Sequence, residues 1–302
     1  MTELNISYAI DHGVDMVISH HPFLFKPIHD IDLSTCKGRM IENLIRHRIT
    51  SFAAHTNLDS AVQGVNDALA EKLGLQECKG FVPVMTYSSY KFTLYITAAH
   101  AKLLKKKLDS LRGKDIESYY VVDDADDFTE NIRVEFRVPG QLVKQVKDMI
   151  SSLDKSAKYD VYKLVNHGYK ETMGRIGKFP FPMSVEEALS YIKNKLEIPV
   201  LRYAGNRDRL VEKIAILGGA GAEFAGVAKS MGADLYLTGD LKYHEAQDAA
   251  MNGLVIADGG HFYTERVIIP YLAKRLRDEF KTRGWNVGVL EDVRAKDIFH
   301  CV

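Results

Sequence analysis

A chain of 302 residues is long for one compact unit and short for three, so two domains are expected. Its 40 basic residues balance 40 acidic ones, which argues against a nucleic-acid wrapper or a polybasic membrane binder, since both rely on a strong positive field. Hydrophobic residues at 46% and charged ones at 26% suit a globular protein with a core of its own, while three scattered cysteines (Cys36, Cys78, Cys301) exclude a disulfide framework and fit a reducing cytoplasm.

The opening MTELNISYAI has neither the basic start nor the long apolar run of a signal peptide. No segment approaches the ~20 apolar residues that span a bilayer, so a cytoplasmic protein without a membrane partner is expected. Ile6, Ala9 and Ile10 form a short helical stripe, and the β-branched run DMVIS stops at Pro22. Residues 38–48 (GRMIENLIRHR) have helical spacing, SFAAH reads as a second buried strand, and 64–74 (GVNDALAEKLG) as a helix ending at Gly74. Strand–helix alternation of this kind predicts an α/β layer with mostly parallel strands.

The pattern then changes. YKFTLYIT (90–97), ESYYVV (117–122), IRVEFRV (132–138) and YDVYKLV (159–165) read as strands, with helices at 99–111 and 139–153 between them. The order β-α-β-β-α-β is the ferredoxin-like split motif, complete in itself, so residues 87–167 are expected to be an inserted domain. The core is then discontinuous, 1–86 with 168–302. It resumes with a helix at 183–198 capped by Ser184, strands at 213–218, 234–240 and 254–259, a long helix at 264–284 and a final strand at 286–290.

Four segments carry candidate chemistry, and each is expected to follow a buried strand. Ser19-His20-His21-Pro22 places two imidazoles at a strand end, where ligands of open α/β sheets collect. The plain alternative is two half-exposed loop histidines. His55-Thr56-Asn57-Leu58-Asp59 offers a carboxylate able to bridge two cations, or merely a helix cap. Gly239-Asp240-Leu241-Lys242-Tyr243-His244 offers supporting groups or, again, a cap. Gly259-Gly260-His261-Phe262-Tyr263-Thr264-Glu265-Arg266 puts an imidazole and a carboxylate at i and i+4, on one face of a starting helix, though Glu265 also suits the positive helix end. Three imidazoles and two carboxylates at one sheet edge match a dinuclear site with metals about 3.5–4 Å apart. A competing signal is KIAILGGAGAEF, a strand and glycine turn with Asp240 about twenty residues on. Phe224 stands where the third glycine of a dinucleotide fingerprint belongs.

The segments GVDMVISHHPFLFKP, SFAAHTNLDSAVQGVNDALAEKLGL and GADLYLTGDLKYHEAQDAAMNGLVIADGGHFYTE together resemble one family: the GTP cyclohydrolase 1 type 2 homologs, also described as dinuclear metal-centre hexameric or NGG-one interacting factor three-like proteins. The insert resembles the PII/CutA-like unit of the longer members. The resemblance implies two divalent metal ions (zinc, iron or manganese) held by His20, His21, Asp59, His261 and Glu265. It also implies a toroidal homohexamer whose openings the insert caps, and a strand–helix unit ahead of this start, without which a sheet edge would lie exposed. The function expected is a metal-dependent hydrolase or cyclohydrolase acting on a small anionic or nucleotide-like ligand. His55 or His244 would shuttle protons, and Arg266 and Lys242 would contact the anion. The alternatives are a non-catalytic metal-binding or regulatory hexameric adaptor and a nicotinamide-dependent enzyme using Gly219–Gly221.

Overall fold

The computed structural model describes residues 1–110, 117–122 and 131–300. In chain order the elements are α1 (Glu3–Asp11), β1 (Met16–Ser19), α2 (Cys36–Arg46), β2 (Thr50–Ala53), α3 (Thr56–Ser60), α4 (Val65–Lys72), β3 (Gln76–Lys79), β4 (Val82–Thr97), α5 (Ala98–Ser110), β5 (Glu117–Val122), β6 (Asn131–Pro139), α6 (Val143–Leu153), β7 (Lys158–Met173), β8 (Arg175–Ser184), α7 (Val185–Leu196), β9 (Arg202–Ala204), β10 (Leu210–Ala220), α8 (Ala225–Ser230), β11 (Leu235–Gly239), α9 (Tyr243–Met251), β12 (Val255–Asp258), α10 (His261–Glu265) and α11 (Ile268–Arg283). They divide into two units, Met1–Val82 with Thr172–Val302, and Pro83–Glu171.

The first unit is an α/β core with two sheets. β1 and β2 pair in parallel, Met16 opposite Thr50 and Ser19 opposite Ala53. The second sheet has the order β3-β8-β10-β11-β12-β9. Its orientation is mixed: β10, β11 and β12 are parallel, and antiparallel strands flank them on both sides. The parallel centre follows from α8 and α9, which supply the crossovers such strands need. β11 and β12 are buried at every position because both faces are covered. Leu69 of α4 and Ala188 and Ile192 of α7 pack on one face, and Phe81, Ala228 of α8 and Ala249 of α9 on the other. α7 starts at a capping box in which Ser184 accepts from the Glu187 amide and the Glu187 carboxylate accepts from the Ser184 amide.

Three features differ from the sequence expectation. RIGKFPFPMS is a strand, β8, although it holds two prolines. Pro180 and Pro182 lie between the paired residues Lys178 and Met183, where the register with β10 shifts, so their missing N–H groups cost no regular ladder bond. The helix expected over 264–284 is interrupted after Glu265. Pro270 has no N–H for the Arg266 carbonyl and its ring crowds that oxygen, so Pro270 sits instead in the first turn of α11. Residues 286–290 form no strand. Gly284 ends α11 in the left-handed conformation, and side chains hold the tail beyond it: Arg277 donates to the Val289 carbonyl at 2.9 Å and Asn5 to Asp292 at 2.9 Å. Beyond these three, the strands ahead of His20 and His55 are not buried as expected: among the described residues β1 and β2 pair only with each other, and Met16, Ile18 and Phe52 are exposed.

The second unit is a ferredoxin-like β-α-β-β-α-β sandwich. Its sheet order, β5-β6-β4-β7, places a strand of the other half between the two strands of each β-α-β half. β4 and β6 are antiparallel with Phe92 opposite Phe136 and Leu94 opposite Val134, and the two phenyl rings stack at 5.3 Å. Leu104 of α5 and Val146 and Ile150 of α6 close this core. Among the described residues, no helix is long and apolar enough to cross a membrane.

Candidate metal centre

The strand ends of both sheets in the first unit point their side chains into one cluster. β1 ends at Ser19, whose hydroxyl donates to the His21 carbonyl at 2.8 Å and curls the chain back. The His20 ring lies with Nδ1 2.7 Å from the Ala54 carbonyl. A carbonyl only accepts, so Nδ1 carries the proton and Nε2 is left facing inward. β2 leads through His55 into α3, one turn of helix that brings Asp59 inward and buries it. β12 leads through Gly259 and Gly260 into α10, where His261 and Glu265 share a face.

Two fully buried polar residues tie these pieces together. Asn66 of α4 donates to the Asp59 carbonyl at 3.0 Å and accepts from the Gly218 amide at 3.0 Å. Thr264 accepts from the Gly219 amide at 3.0 Å. Neither was legible as functional from sequence, since each sits in an apolar helical stretch and its partner is a distant backbone group. Replacing Asn66 by leucine keeps the volume but strands a buried donor and a buried acceptor. A loss of about 2–4 kcal/mol of unfolding free energy is expected, read by urea denaturation.

The distances inside the cluster are those of donors around a common cation. His20 Nε2 lies 3.5 Å from Asp59 Oδ1 and 3.4 Å from Glu265 Oε1. His21 Nε2 lies 3.4 Å from Glu265 Oε2 and 3.2 Å from His261 Nε2, and His261 Nε2 lies 3.1 Å from Glu265 Oε1. Two ligand atoms about 2.0–2.2 Å from one tetrahedral ion stand roughly 3.3–3.6 Å apart. Moreover, His20 Nε2 and Asp59 Oδ1 are buried without any hydrogen-bond partner. Native interiors rarely leave such atoms unpaired, and an ion between them would satisfy both. The residues therefore fit a metal.

Electrostatics agree with that fit. Burial pushes the Asp59 carboxyl up to about 6, against the pull of His20. Burial would raise Glu265 too, but the imidazoles of His20 and His261 beside it bring it down to about 2. His261 is raised to about 9, first by Glu265 and, against burial, by Asp240. For His20 burial is outweighed by Glu265 and Asp59 and the net shift is upward, whereas burial lowers His21 and His55. The cluster attracts positive charge, which protons supply in the absence of metal and cations can supply in their place.

The other residues singled out in the sequence fall as follows. The His55 ring centroid is 5.3 Å from that of His20 and 5.2 Å from that of His21, and these three imidazoles form one group with metal-ligand spacing, beside a second of His21, His261 and Glu265. Asp240 contacts His261, its carboxylate 2.7 Å from Nδ1. His244 is exposed on α9 with its ring against Tyr243 and is not brought into the cluster. Lys242 is exposed, and Arg266 is engaged by Glu197 and by the rings of Phe262 and Tyr263, which leaves neither aimed at the centre. The glycine turn at 218–221 is filled by the protein itself. A side chain at Gly221 would meet Leu217 and Tyr236, and one at Gly219 would meet Glu265 and His261, so these glycines serve close packing rather than a dinucleotide.

Fold and cluster together define an α/β protein whose strand ends present histidine and glutamate groups able to hold metal. The Duf34/NIF3 (NGG1p interacting factor 3) family model matches residues 1–296, and the chain belongs to that family. It is 32% identical to a "GTP cyclohydrolase 1 type 2 homolog" of Halalkalibacterium halodurans, over 99% of this chain and 87% of that protein. A protein of the same description from Bacillus subtilis is also 32% identical, over 94% of this chain and 82% of its own length. Among solved structures, a Bacillus cereus protein related to NIF3 superposes with a TM-score of 0.84 at 32% identity, covering 100% of this chain and 87% of that one.

Proposed function

We propose that the protein holds two divalent cations and acts as a metal-dependent hydrolase or cyclohydrolase on a nucleotide-like or phosphorylated substrate. The observation that carries this is the pair of unpartnered buried atoms, His20 Nε2 and Asp59 Oδ1, in a set of nitrogen and oxygen donors 3.1–3.5 Å apart. His20 and Asp59 would hold one cation and His21 and His261 the other, with the Glu265 carboxylate within reach of both sets. Imidazole and carboxylate donors suit zinc, iron or manganese. Bound cations would polarise a phosphoryl or carbonyl oxygen and make a water acidic enough to attack near neutral pH.

The chain's own residues complete the chemistry. His55 stands beside His20 and His21 without belonging to the carboxylate-linked set, and serves as the base that takes a proton from the attacking water. The description of the curated relatives points to a purine nucleotide as the first substrate to try. The exposed apolar residues of β1 and β2 support assembly, which we take to be a homohexamer.

The test has two parts. Metal-stripped protein is reloaded with zinc, manganese or ferrous iron, dialysed and analysed for metal; about two ions per chain are expected. The loaded protein is then offered nucleoside triphosphates and phosphoesters. Turnover that is lost in His55→Ala while metal content holds supports the assignment. Full loading with no turnover of any of these would remove the hydrolase and leave a metal-binding protein.

A further inference from the structure

Asp240 is not among the five proposed ligands, yet it is held in an unfavourable backbone conformation to reach one of them. Its φ is 54°, a region that residues with a side chain rarely adopt. It follows Gly239, where a Cβ would come within 2.8 Å of the His261 backbone nitrogen, so the end of β11 is pressed against the start of α10. From that turn the Asp240 carboxylate reaches His261 Nδ1 at 2.7 Å. A carboxylate only accepts, so Nδ1 is the donor and Nε2 is the atom presented to His21 and Glu265. Backbone strain of this kind clusters at functional sites, where the surroundings hold it in place. His20 differs, because a neutral carbonyl, that of Ala54, holds its Nδ1. A charged partner raises the basicity of the ring it holds more than a neutral one does.

We propose that Asp240 is a positioning residue: it fixes the His261 ring with Nε2 inward and makes the His21–His261–Glu265 position the tighter of the two cation positions. This rests on the metal-binding reading above. Its test uses the full chain and two variants. Asp240→Gly removes the carboxylate and relieves the backbone, and Asp240→Asn keeps an oxygen able to accept from Nδ1. Zinc affinities are measured by competition with a chromophoric chelator, and melting of the metal-free proteins by circular dichroism. Asp240→Gly is expected to bind one zinc equivalent about 10–100-fold more weakly and the other unchanged, while its metal-free melting temperature is equal to or above that of the parent. Asp240→Asn, which can hold the ring but lacks the charge, should recover only part of that loss. Both zinc equivalents binding to Asp240→Gly as tightly as to the parent would overturn the assignment. So would both affinities falling together with the melting temperature, which marks a structural role. A parent protein that takes up no zinc would defeat the metal-binding reading itself and this inference with it.

Discussion

Glu265→Gln is expected to retain less than one metal ion per chain where the parent retains about two. Glu265 is the one side chain of the cluster within salt-bridge distance of all three inward nitrogens, His20 and His261 through Oε1 and His21 through Oε2. Glutamine preserves the shape but removes the charge, and turns one of the two oxygens into a donor that faces ions or imidazole lone pairs. In the proposed two-cation centre, Asp59 would then be the one carboxylate left for both ions. Loss of a supporting partner outside the ligand sphere already costs about 10–100-fold in affinity, so loss of a shared ligand should exceed about 100-fold. Metal analysis after dialysis reads this directly. Thermal melting gives a second reading: a parent with zinc at 100 times its Kd gains about 2.7 kcal/mol over its metal-free form, and Glu265→Gln should gain almost nothing. A variant that keeps two ions after dialysis would show that the cluster is not built around this carboxylate.

Much of the centre was legible because its residues stand at the ends of short apolar runs. His20 and His21 follow DMVIS, Asp59 follows SFAAH by one helical turn, and His261 with Glu265 follows LVIADGG. Strand ends collect function, and an i, i+4 pair needs only a helix. The arrangement of those ends was less legible. One shared edge of a parallel sheet was expected, whereas β1 and β2 form their own sheet and meet the ends of β10, β11 and β12 from another. Neighbours of a parallel strand are set by contacts far along the chain, and a local pattern does not carry them.

The same limit hid the supports. Asn66 and Gly218 are 152 residues apart, and Thr264 and Gly219 are 45 apart. Each looks locally like an ordinary polar residue in a helix. His244, by contrast, had the right position after a strand and was singled out for it, but α9 turns its ring outward against Tyr243. The break at Pro270 was available in the sequence, since a proline inside a helical pattern removes a bond to the residue four before it. Strand β8 was not assigned from the sequence, and its Pro180 and Pro182 are absorbed by a register shift that no local pattern shows.

Gly219→Ala tests whether the glycine turn exists to seat Glu265. Gly219 has a φ of +70°, and a Cβ there would run into Glu265 Oε1 and stand 3.3 Å from His261 Nε2. The backbone has little freedom to retreat, because its N–H donates to Thr264 at 3.0 Å and its carbonyl accepts from Thr238 at 3.1 Å. The carboxylate must therefore move. Alanine in the left-handed region costs about 1–2 kcal/mol, and forcing Glu265 off its rotamer about 0.5–1.5 kcal/mol more. Urea unfolding of the metal-free protein should show a loss of about 1.5–3.5 kcal/mol, and zinc affinity should fall by at least about tenfold. Gly226→Ala is the matched control. Gly226 is an exposed residue of α8 with nothing within 4 Å of its would-be Cβ, so alanine there should stabilise by about 0.5–1 kcal/mol and leave metal content unchanged. Zinc affinity of Gly219→Ala at the parent value would detach this glycine from the proposed metal centre.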